Sequence, residues 1–163
     1  MKIISTDYSG SFIIKDESKN LLVVDYMEND LEVIKTNLNG ITIEIAPIHH
    51  QPGSFTIYKN GADRGEISFK TNEDVILKLD SKIGNSKEWL IKNKRKVFYV
   101  YYELINEEKK PILGLGASPG VQWLGTKMKY PLKIIDDKVA KNDLVEFLLY
   151  QCFIVNLVSL KKE

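Results

Sequence analysis

The chain has 163 residues with 23 Lys or Arg against 22 Asp or Glu, which gives a formal net charge of +1. A chain of this length is typical of one domain, here predicted to span residues 1–163, and it can bury a sizeable core without disulfides or metals. The charge balance argues against a general nucleic-acid binder, which usually has a clear basic excess. Only Arg64 and Arg95 are arginine, the residue best suited to forked contacts with bases or phosphates, which weakens that reading further.

The single cysteine, Cys152, excludes an intrachain disulfide and fits a reducing compartment. The first residues, MKIISTDYSGSFIIKD, hold no apolar stretch of the length a secretory signal needs, so we expect no such signal. The predicted location is cytoplasmic, with association with a membrane left open.

Strand patterns separated by turn residues fill the chain from about residue 3 to residue 136. In chain order the predicted strands are 11–15, 21–27, 31–36, 41–47, 54–59, 65–70, 75–80, 88–93 and 96–104, with weaker candidates at 111–116 and 129–136. ITIEIAP (41–47) alternates cleanly, so Ile41, Ile43 and Ile45 are expected to face the core. Asn60–Gly61 predicts a hairpin turn. Such closely spaced strands, with no helical pattern between them, predict an antiparallel barrel or sandwich.

The sequence LVEFLLYQCFIVNLVSL (144–160) predicts one apolar helix, extending over about 142–160. Asp143 followed by Glu146 resembles a capping box at its start. Lys161 and Lys162 are favourable charges at its end.

The destination of this helix decides the architecture. Its polar residues Glu146, Gln151, Asn156 and Ser159 share no single face, so the helix is expected to be buried all round. It either crosses a bilayer or fills a protein core. Seventeen residues are at the short limit of a spanning helix, about 17–25 residues, and buried Gln and Asn need partners that lipid lacks. We therefore expect an antiparallel barrel of roughly 9–12 strands that encloses the C-terminal helix. A C-terminal tail anchor is the alternative.

About ten strands followed by an apolar C-terminal helix resemble the tubby-like fold, which includes tubby domains, phospholipid scramblases and LURP-one-related proteins. The ending LLYQCFIVNLVSLKKE is similar to endings of small uncharacterised bacterial members, in which a Tyr precedes an Asn in the last helix; here these are Tyr150 and Asn156. The resemblance implies a barrel around the helix, and tubby domains imply binding of phosphoinositide headgroups. No basic motif matches residue by residue, so no ligand residue is transferred.

The glycine-rich segment GLGASPGVQWLGTK (114–127) does not predict a nucleotide site. The dinucleotide fingerprint requires a third glycine where this chain has Pro119. The phosphate-binding loop requires Lys before Ser or Thr, and here the pair is reversed. Since a strand rather than a helix follows, the glycines are interpreted as a bend or bulge. No cofactor is predicted.

No catalytic or metal site is predicted either. His49 and His50 are neighbours that would point to opposite faces of a strand, and Cys152 lies in the apolar helix. The paired carboxylates at 73–74, 107–108 and 136–137 fall where turns are predicted, without an acid–base partner. The chain is therefore interpreted as non-enzymatic, although a small enzyme is not eliminated.

KNKRK (92–96) is the densest basic run and lies beside the aromatic sequence VFYVYY (97–102). Basic residues near aromatics could contact anionic lipid headgroups. The candidate ligand-binding residues are Lys92, Lys94, Arg95 and Lys96, and the alternative is a solvated hairpin turn. Because both faces of 97–102 are apolar or aromatic, this strand is expected to be covered on both sides, its outer face being a partner surface.

These patterns together predict a non-enzymatic binding or scaffold protein that attaches peripherally to anionic membranes. A tail-anchored membrane protein and a soluble module that binds a protein partner are the alternatives.

Overall fold

The computed structural model describes residues 1–26, 30–83, 86–94, 96–118 and 124–160. These residues form twelve strands and one helix. The strands are β1 (Lys2–Ser5), β2 (Phe12–Asp16), β3 (Lys19–Val24), β4 (Ile34–Leu38), β5 (Ile41–Pro47), β6 (Ser54–Lys59), β7 (Ala62–Phe69), β8 (Val75–Ile83), β9 (Ser86–Asn93), β10 (Val100–Ile105), β11 (Pro111–Ala117) and β12 (Leu132–Ile134), and the helix is α1 (Lys141–Leu160).

The strands form two antiparallel sheets, and within each sheet every strand pairs with its neighbours in the chain. One sheet has the order β1-β2-β3, and the other runs from β4 to β12 in sequence order. The two sheets meet at β3 and β4, where the Thr36 hydroxyl donates a hydrogen bond of 2.7 Å to the Val23 carbonyl. The prediction of a mainly β, antiparallel protein with one C-terminal helix is confirmed.

β5 illustrates how alternation positions the core. Ile43 and Ile45 are buried at 1% and 0% exposure, as predicted. Ile41 is 42% exposed, so its predicted place in the core is wrong. Ile41 has the parity of the buried residues but follows the turn at Asn39 and Gly40 directly, at the end of the strand. Alternation predicts the face of a residue but does not show where the core stops.

Helix α1 is buried on all its faces: fourteen of its twenty residues are buried. It starts before the predicted cap, because the amide of Leu144 already donates to the Ala140 carbonyl. Asp143 therefore lies within the first turn, and the predicted capping box is wrong. The Glu146 carboxylate instead lies 2.5 Å from the Lys59 ammonium and accepts a hydrogen bond from Tyr150. Lys161 and Lys162 lie outside the described residues.

The helix contacts elements of both sheets. Phe153 packs edge-on against Phe55 of β6, with ring centroids 5.0 Å apart, and Phe147 packs against Trp89 of β9 at 5.2 Å. The Asn156 amide donates to the Gly10 carbonyl in the β1–β2 turn at 2.8 Å. By length and mean hydropathy (1.6), α1 could cross a membrane, yet 78% of its apolar 18-residue window is buried inside the protein.

Successive turns alternate between the two ends of α1 because the strands form an antiparallel meander. At its start, Asn142 contacts Asn39, and Lys141 pairs with Asp16. We call the opposite end, where α1 finishes, the distal end. Its described turn residues are 6–11, 30–33, 48–53, 70–74, 94, 96–99 and 124–131. Gly10 lies against Leu160 there, and Tyr130 hydrogen-bonds to Asn156.

Candidate functional site

The predicted basic residues lie at the distal end, on the last residues of β9 and in the β9–β10 turn. Lys92 belongs to β9, and Lys94 and Lys96 lie in the turn; all three are exposed. Arg95 lies outside the described residues. The lysines are therefore available to a partner at one end of the molecule.

The same turn carries two large apolar side chains in water. Val97 is 88% exposed and Phe98 is 86% exposed. The predicted strand over 96–104 is therefore wrong in its first four residues, and these two positions are covered on neither face. The reason lies in the register: the last bond of the β9–β10 ladder joins the Lys94 amide to the Tyr101 carbonyl, and residues 96–99 project beyond it.

The base of this turn is held by charge and aromatic contacts. The Lys94 ammonium lies 3.1 Å from the Glu103 carboxylate, and the Lys96 ammonium lies 5.6 Å from the centroid of the Tyr101 ring. Tyr99 packs edge-on against Tyr101 at 6.2 Å. Partial burial raises the pKa of Tyr101, and the charge of Glu103 adds to the shift, so the phenol stays neutral near pH 7. The two lysines are thus positioned by one carboxylate, Glu103, and one neutral aromatic ring, Tyr101.

The glycines of GLGASPG have a packing role that the sequence did not reveal. Gly114 and Gly116 lie inside β11 rather than at a bend or bulge. A Cβ at Gly114 would lie 1.9 Å from the Tyr101 hydroxyl oxygen. A Cβ at Gly116 would lie 3.0 Å from the Tyr99 ring and 2.9 Å from Pro131. The tyrosines of the turn therefore lie across the bare backbone of β11. Pro119 and Gly120 lie outside the described residues.

The β11–β12 connection lies at the same, distal end of the molecule. Gly116 contacts both Tyr99, beside the β9–β10 turn, and Pro131, at the end of the connection. Leu124 is 58% exposed, and Lys127 and Lys129 are exposed nearby in the sequence. The Lys127 ammonium also donates to the Thr6 carbonyl at 2.7 Å. We call Lys94, Lys96, Val97, Phe98, Leu124 and Lys127 the basic–apolar surface.

Acidic residues lie on the other side of β9, in the β7–β8 turn. The Asp74 carboxylate accepts the Asn93 amide at 2.9 Å, and the Glu73 carboxylate accepts the Asn93 side chain at 2.8 Å. Both carboxylates are engaged in organising the turns. This arrangement leaves positive charge toward β11 and β12 and negative charge toward β7 and β8.

The other candidate chemistry forms no reactive site within the described part of the chain. His49 and His50 lie in an exposed turn, with ring centroids 6.5 Å apart. Cys152 is fully buried in α1, and burial raises the pKa of its thiol well above the usual value. Among the residues described, no group of His, Cys, Asp and Glu could hold a metal ion. The turn carboxylate of Glu107 accepts the amides of Lys87 and Glu88, a structural role.

A pocket of about 440 Å³ at the start of α1 was not foreseen. Trp89, Ile112 and Phe147 are among its apolar lining residues, and Asp136 and Asp143 are among its polar ones. The Lys110 and Glu108 side chains at its rim pair with each other at 2.7 Å. Periodicity could not have predicted this pocket, because its lining comes from five separate strands and connections and from α1.

No protein-family model matches this chain, and comparisons with curated proteins and with solved structures also found no match.

Proposed function

We propose that this chain is a non-enzymatic, cytoplasmic protein that binds anionic lipid headgroups peripherally through Lys92, Lys94, Arg95 and Lys96. The observation that carries the proposal is the exposure of Val97 and Phe98, at 88% and 86%, directly beside the lysines. Each Lys or Arg near an anionic bilayer surface contributes about 1 kcal/mol of attraction. Positive charge beside an uncovered apolar tip suits a surface that offers both anionic headgroups and hydrocarbon.

The architectural part of the proposal is a closed barrel around α1, as the resemblance to tubby-like and LURP-one-related proteins implies. It is supported by the contacts of α1 with both sheets and by the junction of β3 with β4. The hydrogen bond from Lys127 to Thr6 brings the connection that leads into β12 close to the end of β1. Such a barrel has its interior filled by α1, so its ligand must bind outside, at an end or on the wall.

A tail anchor is the less favoured alternative. In the folded chain two polar side chains of α1 have specific partners: Asn156 bonds to Gly10 and Tyr130, and Glu146 pairs with Lys59. Insertion of α1 into a bilayer would separate all these groups and leave them in hydrocarbon. It would also expose the sheet residues that α1 covers.

A soluble module that binds a protein partner remains the second candidate. A groove at the distal end, lined by Phe55, Phe69, Leu157 and Val158 among others, favours it. This groove lies beside the acidic β7–β8 turn rather than on the basic–apolar surface.

Vesicle flotation tests the proposal. We expect the protein to float with anionic vesicles and not with neutral ones. High salt should release most of it from the anionic vesicles, and alkaline carbonate should release all of it. The double variant Lys94→Glu, Lys96→Glu should lose flotation. The matched control Lys19→Glu, Lys138→Glu makes the same change of net charge at exposed positions toward the other end and should retain it.

Three outcomes would contradict the proposal. Absence of flotation with every lipid would refute membrane binding and favour a protein partner. Flotation that resists carbonate would indicate α1 in the bilayer. Equal losses in both double variants would mean that net charge alone, rather than the β9–β10 turn, drives binding.

A further inference from the structure

The tip of the β9–β10 turn is the most exposed apolar feature among the described residues. Other exposed large hydrophobic residues there range from 38% to 58%, whereas Val97 and Phe98 exceed 85%. The two are adjacent and lie beyond the last hydrogen bond of the β9–β10 ladder. A folded chain gains nothing from holding this pair in water, so the exposure points to an apolar environment supplied from outside.

The neighbouring charges specify the nature of that environment. Lys94 and Lys96 precede the apolar pair, and their ammonium groups are drawn back toward Glu103 and Tyr101 at the base of the turn. Apolar groups therefore project farthest, with a layer of positive charge behind them. A bilayer has the matching order, with anionic headgroups outside hydrocarbon.

A second apolar projection lies at the same end of the protein. Leu124 is 58% exposed in the β11–β12 connection, with Lys127 three residues later. Both segments are tied to β11, because Tyr99 and Pro131 contact the same glycine, Gly116. Two projections at the same end of the protein would fix its orientation as well as add to its affinity.

We propose that Val97 and Phe98 insert into the interfacial layer of an anionic bilayer and that Leu124 makes a second, shallower contact. The distal end then faces the membrane, and the start of α1 points away from it. This inference rests on the proposed function, because it describes how the same surface would engage lipid.

The lone buried cysteine allows a direct test by site-specific labelling. Cys152 has 0% exposure, so the native protein should take no label, and Phe98→Cys, Leu124→Cys and Ser18→Cys would each carry one environment-sensitive fluorophore. Ser18 is exposed in the β2–β3 turn at the other end and serves as the matched control. With anionic vesicles we expect a blue shift and quenching by brominated acyl chains at position 98, a smaller effect at 124 and none at 18.

Two outcomes separate failure of the insertion from failure of the proposed function. If the wild type floats with anionic vesicles but the probe at 98 is unchanged, headgroup binding stands and insertion is refuted. If the wild type does not float, both fall.

A second variant tests the contribution of the apolar pair to affinity. Val97→Ser with Phe98→Ser alters only highly exposed side chains, so the thermal midpoint should be unchanged. Removal of the inserted area should weaken partitioning into anionic vesicles by about tenfold to a hundredfold. Partitioning equal to that of the wild type would overturn the inference and reassign the tip to a protein contact.

Discussion

Replacing Asn156 by Leu should destabilise the protein, although it makes α1 more apolar. Asn156 is fully buried. Its amide donates to the Gly10 carbonyl at 2.8 Å, and its oxygen accepts the Tyr130 hydroxyl at 2.8 Å. Leucine has the same branching at Cγ but cannot satisfy either group, and the Tyr130 hydroxyl would keep only a weak contact with the Met128 sulfur at 3.7 Å.

The magnitude follows from the two groups that lose their partner. A buried polar group left without a hydrogen bond costs about 1–3 kcal/mol. Two such groups, partly offset by the burial of a more apolar side chain, give a net loss of about 2–4 kcal/mol in the free energy of unfolding. For a chain of this size, that corresponds to a thermal midpoint lowered by about 5–15 °C.

Gln151→Leu provides the matched control on the same helix. Gln151 is also fully buried, but within the described part of the chain neither its amide nitrogen nor its amide oxygen has a hydrogen-bond partner. Its replacement removes a desolvated amide and should leave the midpoint unchanged or raise it. Thermal melts followed by circular dichroism would measure both variants. An unchanged or raised midpoint for Asn156→Leu would refute the proposed role of Asn156 in the core and would fit a helix in lipid.

Three further predictions concern Cys152, Gly114 and Asp7. Cys152 should not react with thiol reagents in the native protein at pH 8, because it is buried and the pKa of its thiol is raised, and it should react fully in denaturant. Labelling of the native protein would mean that α1 leaves the core. Gly114→Ala should displace the Tyr101 ring and lower the free energy of unfolding, measured with urea, by about 1–3 kcal/mol. Gly40→Ala is the control: its Cβ would meet nothing within 4 Å, so it should show only the strain of its positive φ. The pKa of Asp7 is lowered below 3.8 because, against the opposing effect of burial, hydrogen bonds from Ser11 and Ser9 favour the carboxylate. The wild type should therefore be more stable than Asp7→Asn at pH 7. In thermal melts, the difference in midpoint should shrink as the pH falls through the pKa of Asp7 in the folded protein, below 3.8. A difference that stays constant with pH would contradict the charge-based reason.

The sequence predicted strands well where alternation was bounded by turn residues. β5 and β6 begin and end at the predicted residues, 41–47 and 54–59. β1 was missed, because four residues at the start of the chain carry no recognisable turn before them, and only the pairing of Lys2–Ser5 with β2 defines it. The helix was predicted to within one residue at its start, while its cap was wrong because the Glu146 carboxylate pairs with Lys59, far away in the sequence.

The candidate surface was predicted in its charges but not in its apolar part. The lysines of KNKRK were recognised by local density, which is a property of sequence. Val97 and Phe98 were expected to be covered, because a run of apolar and aromatic residues shows no alternation to mark where a strand begins. Their exposure depends on where the ladder with β9 ends, and the adjacency of the β11–β12 connection depends on Tyr99 and Pro131 meeting at Gly116. Both are consequences of register and long-range packing.

The position of α1 after all twelve strands has a consequence for biosynthesis. The side chains of α1 pack against both sheets but are translated after them. The strands β1 to β12 are therefore made before the helix that covers their apolar faces exists. At about 5–20 residues per second, the twenty residues of α1 take about 1–4 seconds to be made. During this interval the nascent strands present apolar faces and unpaired edges, a state that attracts chaperones and favours aggregation. A ribosome stalled before Lys141 should therefore hold a protease-sensitive chain, whereas the released chain that includes α1 should be resistant.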